Sequence, residues 1–340
     1  MRQSRLLGQG TSYYHCMSRV VDGRYIFEEK EKAYFRKIMR GLEHFTGCRV
    51  ITYCLMSNHF HILLQVPDER DVKTGAEVSD EELVAMIRPL YGAESAKQLA
   101  MELKNCDDCN FDAKKALIRE KFLKRRGRLD IFMKDLKQRF TQWYNRKEGR
   151  RGTLWEERFK SVIVGNSDEA ILTMAAYIDL NPVRALMVDD PADYTYSGYG
   201  EACAGRRIAR RGLAVALERE EGRSVAWSEV GAEYRKLLYG VGVERGVKED
   251  GSPIKAGFSR EEALAEMAKG GRIPLWQALR CRVRYFTDGA VFGSPDFVDQ
   301  HFEVHRDNYG SKRTSGARTM RGGQWGGLRV LRDLRVEVFG

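Results

Sequence analysis

Two histidines one residue apart, His59-Phe60-His61, are the sharpest candidate for chemistry in this sequence. On a β-strand, positions i and i+2 share a face. Both imidazoles would therefore point one way, with Leu63 and Gln65, while Phe60, Ile62, Leu64 and Val66 point into a core. Two rings about 7 Å apart along one strand face are able to bind one metal ion. Imidazole is common for Zn, Mn, Fe or Ni and less usual for Mg, so the pair alone leaves the metal open. An isolated His-x-His fits satisfied or exposed histidines as well. The second candidate is Tyr177-Ile-Asp-Leu-Asn181-Pro-Val-Arg184. Tyr177 and Asn181 stand one turn apart on one helix face. The plain reading is packing for the tyrosine and a helix-end cap for the asparagine. The chemical reading lends the Asn181 amide oxygen to a hard cation.

These side chains need elements to hold them. Tyr13 to Val20 reads as a strand, and Glu28 to Phe45 as an amphipathic helix with Phe35, Ile38, Met39, Leu42 and Phe45 at helical spacing, ended by Gly47. Val50 to Met56 is a near-continuous apolar run, as in a strand covered on both faces. Ser57-Asn58 supplies a turn into the strand His59 to Val66, and strands joined so tightly pair antiparallel. Residues 68–128 are charged and read as a surface insertion, with helical patterns at Asp80–Tyr91 and Ala93–Lys104 and a basic stretch, Lys121 to Arg128. A helix resumes over Leu129 to Arg146 and a strand over Phe159 to Val164. Ser167 then caps a helix reaching about Leu180, where Pro182 disfavours helical geometry at Asn181.

The formal net charge of +10 makes a polyanionic partner reasonable. The first ten residues lack the apolar stretch of a secretory signal, and no run approaches the ~18 apolar residues of a membrane span, so a cytoplasmic protein without membrane partners is expected. Seven cysteines, an odd number scattered over 340 residues, do not form a disulfide framework. Cys106-Asp-Asp-Cys109 has metal-ligand spacing but no second half nearby, which favours two ordinary thiols over a zinc site. The length suggests two domains, with a boundary near residue 200.

Taken together, the two chemical motifs resemble those of the HUH-endonuclease superfamily, and within it the REP-associated tyrosine transposases, relatives of the single-strand insertion-sequence transposases. The resemblance rests on Tyr14-His15-Cys-Met-Ser-Arg19, Met56-Ser-Asn-His-Phe-His-Ile-Leu-Leu64, Leu154-Trp-Glu-Glu-Arg-Phe-Lys-Ser161, Tyr177-Ile-Asp-Leu-Asn-Pro-Val-Arg-Ala185 and Tyr194-Thr-Tyr-Ser-Gly-Tyr199. It covers roughly residues 11–200, interrupted by the long insertion. It implies an α+β fold: a ferredoxin-like antiparallel sheet with the histidine pair on a central strand, and helices on one face, the last bearing the nucleophile. It also implies that His59, His61 and Asn181 hold a divalent metal, Mg or Mn. Tyr177 would attack a DNA phosphate, leaving a 5′-phosphotyrosine and a free 3′-hydroxyl, and reversal by another 3′-end would rejoin strands without ATP. The implied DNA is single-stranded with a short REP-like hairpin. Because some relatives take the tyrosine from a partner subunit, a monomer and a homodimer are both expected, associated with the nucleoid.

The basic residues argue separately for DNA. Arg125, Arg126 and Arg128, then Arg150 and Arg151, then Arg158 and Lys160 flank the motifs, interleaved with Trp143, Tyr144, Trp155 and Phe159. Cations beside aromatics suit a grip on single strands, although the plain reading of such helices is a core stripe with a solvated charged face. Residues 201–340 read as mainly helical, with helices near Ser228–Tyr239, Ser259–Lys269 and Pro295–His305. Residues 274–305 admit a helix-turn-helix, which is preferred, or a hairpin at Asp288-Gly289. A tail from Arg306 carries eight basic and three acidic residues, half of the whole net charge. Two other functions stay open: a catalytically silent hairpin-binding host factor, and a metal-dependent hydrolase without covalent tyrosine chemistry.

Overall fold

The computed structural model describes residues 6–72, 77–215, 227–239, 275–332 and 338. β1 (Ser12–Arg19) runs antiparallel to β3 (His59–Val66) on one side and to β4 (Lys160–Val164) on the other. β2 (Arg49–Leu55) pairs antiparallel with β3 through the expected tight turn, closed by a hydrogen bond from Met56 N to His59 O. Three short strands extend the sheet: β5 (Val291–Gly293), β6 (Arg318–Thr319) and β7 (Arg329–Val330), giving the order β2-β3-β1-β4-β5-β7-β6. The histidine pair therefore sits on an interior strand. The sheet is mixed rather than wholly antiparallel, because β5 pairs parallel with β4 after a long intervening stretch of chain, as parallel pairing requires.

Helices pack on both faces of this sheet instead of one. On the Phe60 face lie α1 (Glu29–Thr46) and α5 (Leu129–Lys147), whose Phe35 and Phe140 join Phe27, Phe60 and Trp155 in a cluster of ring contacts. On the histidine face lies α6 (Asp168–Asp179), which sets Tyr177 against His15 and His61. Two-sided cover is what the unbroken apolar run of β2 requires, since Val50 to Leu55 are all buried and an uncovered face would leave half of them in water. Gly47 closes α1 in the left-handed conformation.

The insertion forms three helices, α2 (Asp80–Tyr91), α3 (Ala93–Asp108) and α4 (Asp112–Leu123), around a small core of Leu83, Ile87, Leu99, Leu103 and Leu123 seated on Phe45 of α1. A capping box at Ser79 and Glu82 starts α2. Cys106 is buried within α3 and Cys109 is exposed at its end.

One buried carboxylate holds the end of α6. Asp179 accepts hydrogen bonds from Thr52 Oγ1 (2.8 and 2.9 Å), Tyr199 N (3.1 Å) and Tyr234 Oη (2.7 Å). It thereby ties α6 to β2, to α8 (Gly198–Cys203) and to α9 (Trp227–Tyr239). Gly198 permits this approach, because a Cβ there would lie 2.8 Å from Thr52 Cα. Burial pushes the Asp179 carboxyl up to about 7.

Past residue 200 the chain returns to the sheet. Between the short helix Arg284–Asp288 and the Ser294-capped helix Pro295–Val304 stands β5, hydrogen-bonded to β4 and β7, so neither a helix-turn-helix nor a 284–292 hairpin forms. The reason is burial: Val291 and Phe292 are fully enclosed and need sheet partners for their backbone groups. The basic tail is likewise folded in part, with β6 and β7 completing the edge and Arg313 donating to the Gly316 carbonyl (2.7 Å). The expected helix at Ser259–Lys269 lies outside the described residues.

Candidate active site

Strand register brings a third histidine to the pair. Met17 lies opposite His61 and Arg19 opposite His59, so His15, two residues back on the same face, is the diagonal neighbour of His61. Its Nε2 is 2.8 Å from His61 Nδ1, and its own Nδ1 is 2.9 Å from the Phe286 carbonyl oxygen. His59 and His61 meet edge to face with ring centroids 5.1 Å apart. His59 Nδ1 lies 2.7 Å from Asn58 Oδ1, while Asn58 Nδ2 donates to the Gly23 carbonyl (2.9 Å). That second bond fixes the amide orientation, so the Asn58 oxygen faces His59 and His59 Nδ1 is the donor. The His59 Nε2 lone pair is left over. Burial, reinforced by surrounding cations, holds all three imidazoles uncharged near neutrality: His15 is lowered to about 3, His59 to about 4, and His61 well below its ordinary value.

α6 presents Tyr177 to this row. The tyrosine ring lies edge-on to His61 (centroids 6.4 Å), His15 (6.1 Å) and Phe286 (4.9 Å). The Arg184 guanidinium stacks on its other side, 4.1 Å from the ring centroid. Arg184 is half-buried and donates to the Leu279 carbonyl (2.6 Å) and the Tyr177 carbonyl (2.7 Å). Burial raises the Tyr177 phenol above its ordinary value, while Arg184 and Arg282 pull it down. Asn181 follows one turn later, at the start of the short helix α7 (Asn181–Arg184). Its Nδ2 is spent on the carbonyls of Ile178 (3.0 Å) and Tyr177 (3.4 Å), which leaves Oδ1 as its uncommitted atom.

A cleft of about 640 Å³ collects these groups, lined by His59, His61, Tyr177, Asn181 and Arg184. Two neutral imidazoles and an amide oxygen are a donor set that fits a divalent cation such as Mn or Mg. Among the described residues no set of three His, Cys, Asp or Glu side chains is arranged to hold a metal.

Of the basic residues expected from the sequence, Arg158 and Lys160 line the cleft. Arg125, Arg126, Arg128, Arg150 and Arg151 do not. Arg125, at the end of the insertion, pairs with Asp135 of α5 and stacks on Phe45 of α1, and Arg128 pairs with Asp130 (2.8 Å). Arg150 donates to the Thr153 carbonyl (3.2 Å), Arg126 is half-buried near Glu82, and Arg151 is exposed. The cleft instead adds Arg19, Arg184, Arg280 and Arg282, together with the acids Glu156, Glu157 and Asp288. Arg184, seven residues after Tyr177, has a two-turn spacing that signals a shared helix face. Alternation puts His15 and Arg19 on one face of β1, and the register with β3 makes it the face of the histidines. Nothing local marks Phe286, Arg280 or Arg282.

The family model for IS200-like transposases matches residues 9–78 of this chain. A solved structure of a REP-associated tyrosine transposase bound to a REP hairpin is similar at 11% identity and a TM-score of 0.39, over 60% of this chain and 87% of that one. No curated protein matches the sequence. Since the matched segment carries β1, β3 and the histidine pair, the resemblance to IS200-like transposases read from the sequence holds for this chain over residues 9–78.

Proposed function

We propose that the protein cleaves and rejoins single-stranded DNA at hairpin-forming, REP-like sequences through a covalent bond to Tyr177. The observation that carries this reading is the ring of Tyr177 edge-on to His61 at 6.4 Å, within one cleft that also gathers Arg19, Arg158, Lys160, Arg184, Arg280 and Arg282. His59, His61 and Asn181 would hold the divalent metal, Mg or Mn. When bound, such an ion polarises a DNA phosphate and steadies the leaving 3′-oxygen. Tyr177 supplies the nucleophile: its phenol oxygen bonds to phosphorus, the bond from phosphorus to the 3′-oxygen breaks, and a free 3′-hydroxyl leaves. The phenol proton passes into a cleft that also contains Glu156, Glu157 and Asp288. Arg184 stabilises the developing phenolate. Attack by a second 3′-hydroxyl on the phosphotyrosine reverses these steps and joins strands with the bond energy already stored. Arg19, Arg158, Lys160 and Arg282 bind the backbone on either side.

The test is a single-stranded oligonucleotide taken from an inverted repeat beside the gene, labelled at its 3′-end and incubated with the protein and Mn or Mg. A labelled band that survives denaturation is expected with wild type and not with Tyr177→Phe. A variant that still cleaves would favour the metal-dependent hydrolase. Binding without any cleavage by wild type would favour the silent host factor.

A further inference from the structure

We propose that His15 is a positioning residue, and that the Phe286 carbonyl acts through it to fix the His61 tautomer in which Nδ1 carries the hydrogen and Nε2 presents its lone pair to the cleft. This rests on the reading of His59 and His61 as metal ligands only for its consequence, not for the tautomer itself.

The argument follows the hydrogens. A backbone carbonyl oxygen only accepts, so the 2.9 Å contact at Phe286 places a hydrogen on His15 Nδ1. The His15 ring is completely enclosed, and such enclosure disfavours a charged imidazole, so its other nitrogen, Nε2, has a lone pair and no hydrogen. The 2.8 Å contact between His15 Nε2 and His61 Nδ1 then has a single donor available, the His61 Nδ1–H. His61 Nε2 is left without a hydrogen, and His61 lines the cleft. In water an isolated imidazole takes either tautomer, and the one with hydrogen on Nε2 cannot ligate through that atom. A metal-binding histidine is commonly fixed by a carbonyl or carboxylate on its second nitrogen. Here a second imidazole stands between the carbonyl and the ligand. The arrangement is matched at His59, where the fixed Asn58 amide does the same in one step. The relay joins three distant stretches of chain: His15 on β1, His61 on β3, and Phe286, which lies outside the segment matched by the family model.

The full-length protein supplies two independent readouts. The first is long-range ¹H–¹⁵N NMR of the imidazoles without metal, a spectrum of only six histidines. The expected result is His61 with a protonated Nδ1 and a bare Nε2; a protonated Nε2 in wild type overturns the proposal whether or not metal binds. The second is calorimetric titration with Mn²⁺ alone. His15→Leu removes the acceptor while keeping an apolar side chain, and should weaken Mn²⁺ binding by about 10- to 100-fold. His15→Gln, whose amide oxygen can accept at the Nε2 position, should recover most of it. A purely structural His15 would lower the melting temperature in His15→Leu and leave the His61 tautomer and Mn²⁺ affinity of the folded fraction unchanged, which overturns the proposal. Wild type that binds no Mn²⁺ while showing the expected tautomer would count against the metal reading and leave the relay standing.

Discussion

The guanidinium of Arg184 covers the ring of Tyr177 at 4.1 Å, and the same arginine donates to the Tyr177 carbonyl seven residues earlier in the chain. A cation held by two carbonyls is free to act on charge that develops beside it. Removing such a stabiliser typically costs on the order of 10²-fold in rate. Arg184→Gln should slow formation of the covalent DNA adduct by about that factor, and should move the rising limb of its pH–rate profile to higher pH, since the phenol loses the charge that eases its ionisation. Arg184→Lys should fall between. A profile that drops uniformly without moving would show that Arg184 binds DNA and does not assist the phenol.

The cleft and the insertion make opposite predictions for cations that look alike in sequence. Arg158, Lys160 and Arg282 line the cleft, whereas Arg128 is paired with Asp130 and lies outside it. Each phosphate contact to a single strand contributes about 0.7 to the slope of log affinity against log salt concentration. Alanine at any of the three cleft positions should lower affinity for single-stranded DNA and reduce that slope by roughly 0.7. Arg128→Ala should leave both unchanged in fluorescence anisotropy titrations.

Asp179 sets a pH dependence of stability. Its carboxyl is pushed up to about 7 by burial, against about 3.9 in an unfolded chain. The folded state thus keeps a proton that the unfolded state releases. The contribution is full below about pH 4 and is lost as the pH rises through about 7. The melting temperature of wild type relative to Asp179→Asn should therefore fall between those limits and level off above them. A constant difference from pH 4.5 to 8 would mean that the three donors around Asp179 hold it ionised throughout.

A second buried charge cluster supports α1. Arg40 bridges Glu43 and Glu201, each at 2.6 Å, and Tyr53 Oη donates to Glu201 at 3.0 Å. Removing one partner of a buried ion pair leaves the other uncompensated, at a cost of about 3–5 kcal/mol. Arg40→Leu should lose stability of that order in urea unfolding. The triple change Arg40→Leu, Glu43→Gln, Glu201→Gln should recover much of it, because no charge is then stranded.

What the sequence by itself determined is what short-range geometry carries. Alternation along residues 59–66 put both histidines on one face, and a tight turn at Ser57-Asn58 made β2 and β3 neighbours. Helical spacing set Tyr177 and Asn181 one turn apart and picked out Phe35, Ile38, Met39, Leu42 and Phe45 as the buried side of α1. The buried run of β2 already required cover on both faces, which outweighs the one-sided layer implied by resemblance. Only the tertiary structure decided which strands lie side by side and in what register, and so brought His15 to His61. It alone folded residues 279–288 over Tyr177, where Leu279 orients Arg184 and Phe286 meets both His15 and Tyr177. The physical reason is that periodicity encodes which face of an element is apolar and says nothing about its neighbour. A contact between residues 15 and 286 depends on the closure of everything between them, including a parallel β4–β5 pairing that no local pattern announces.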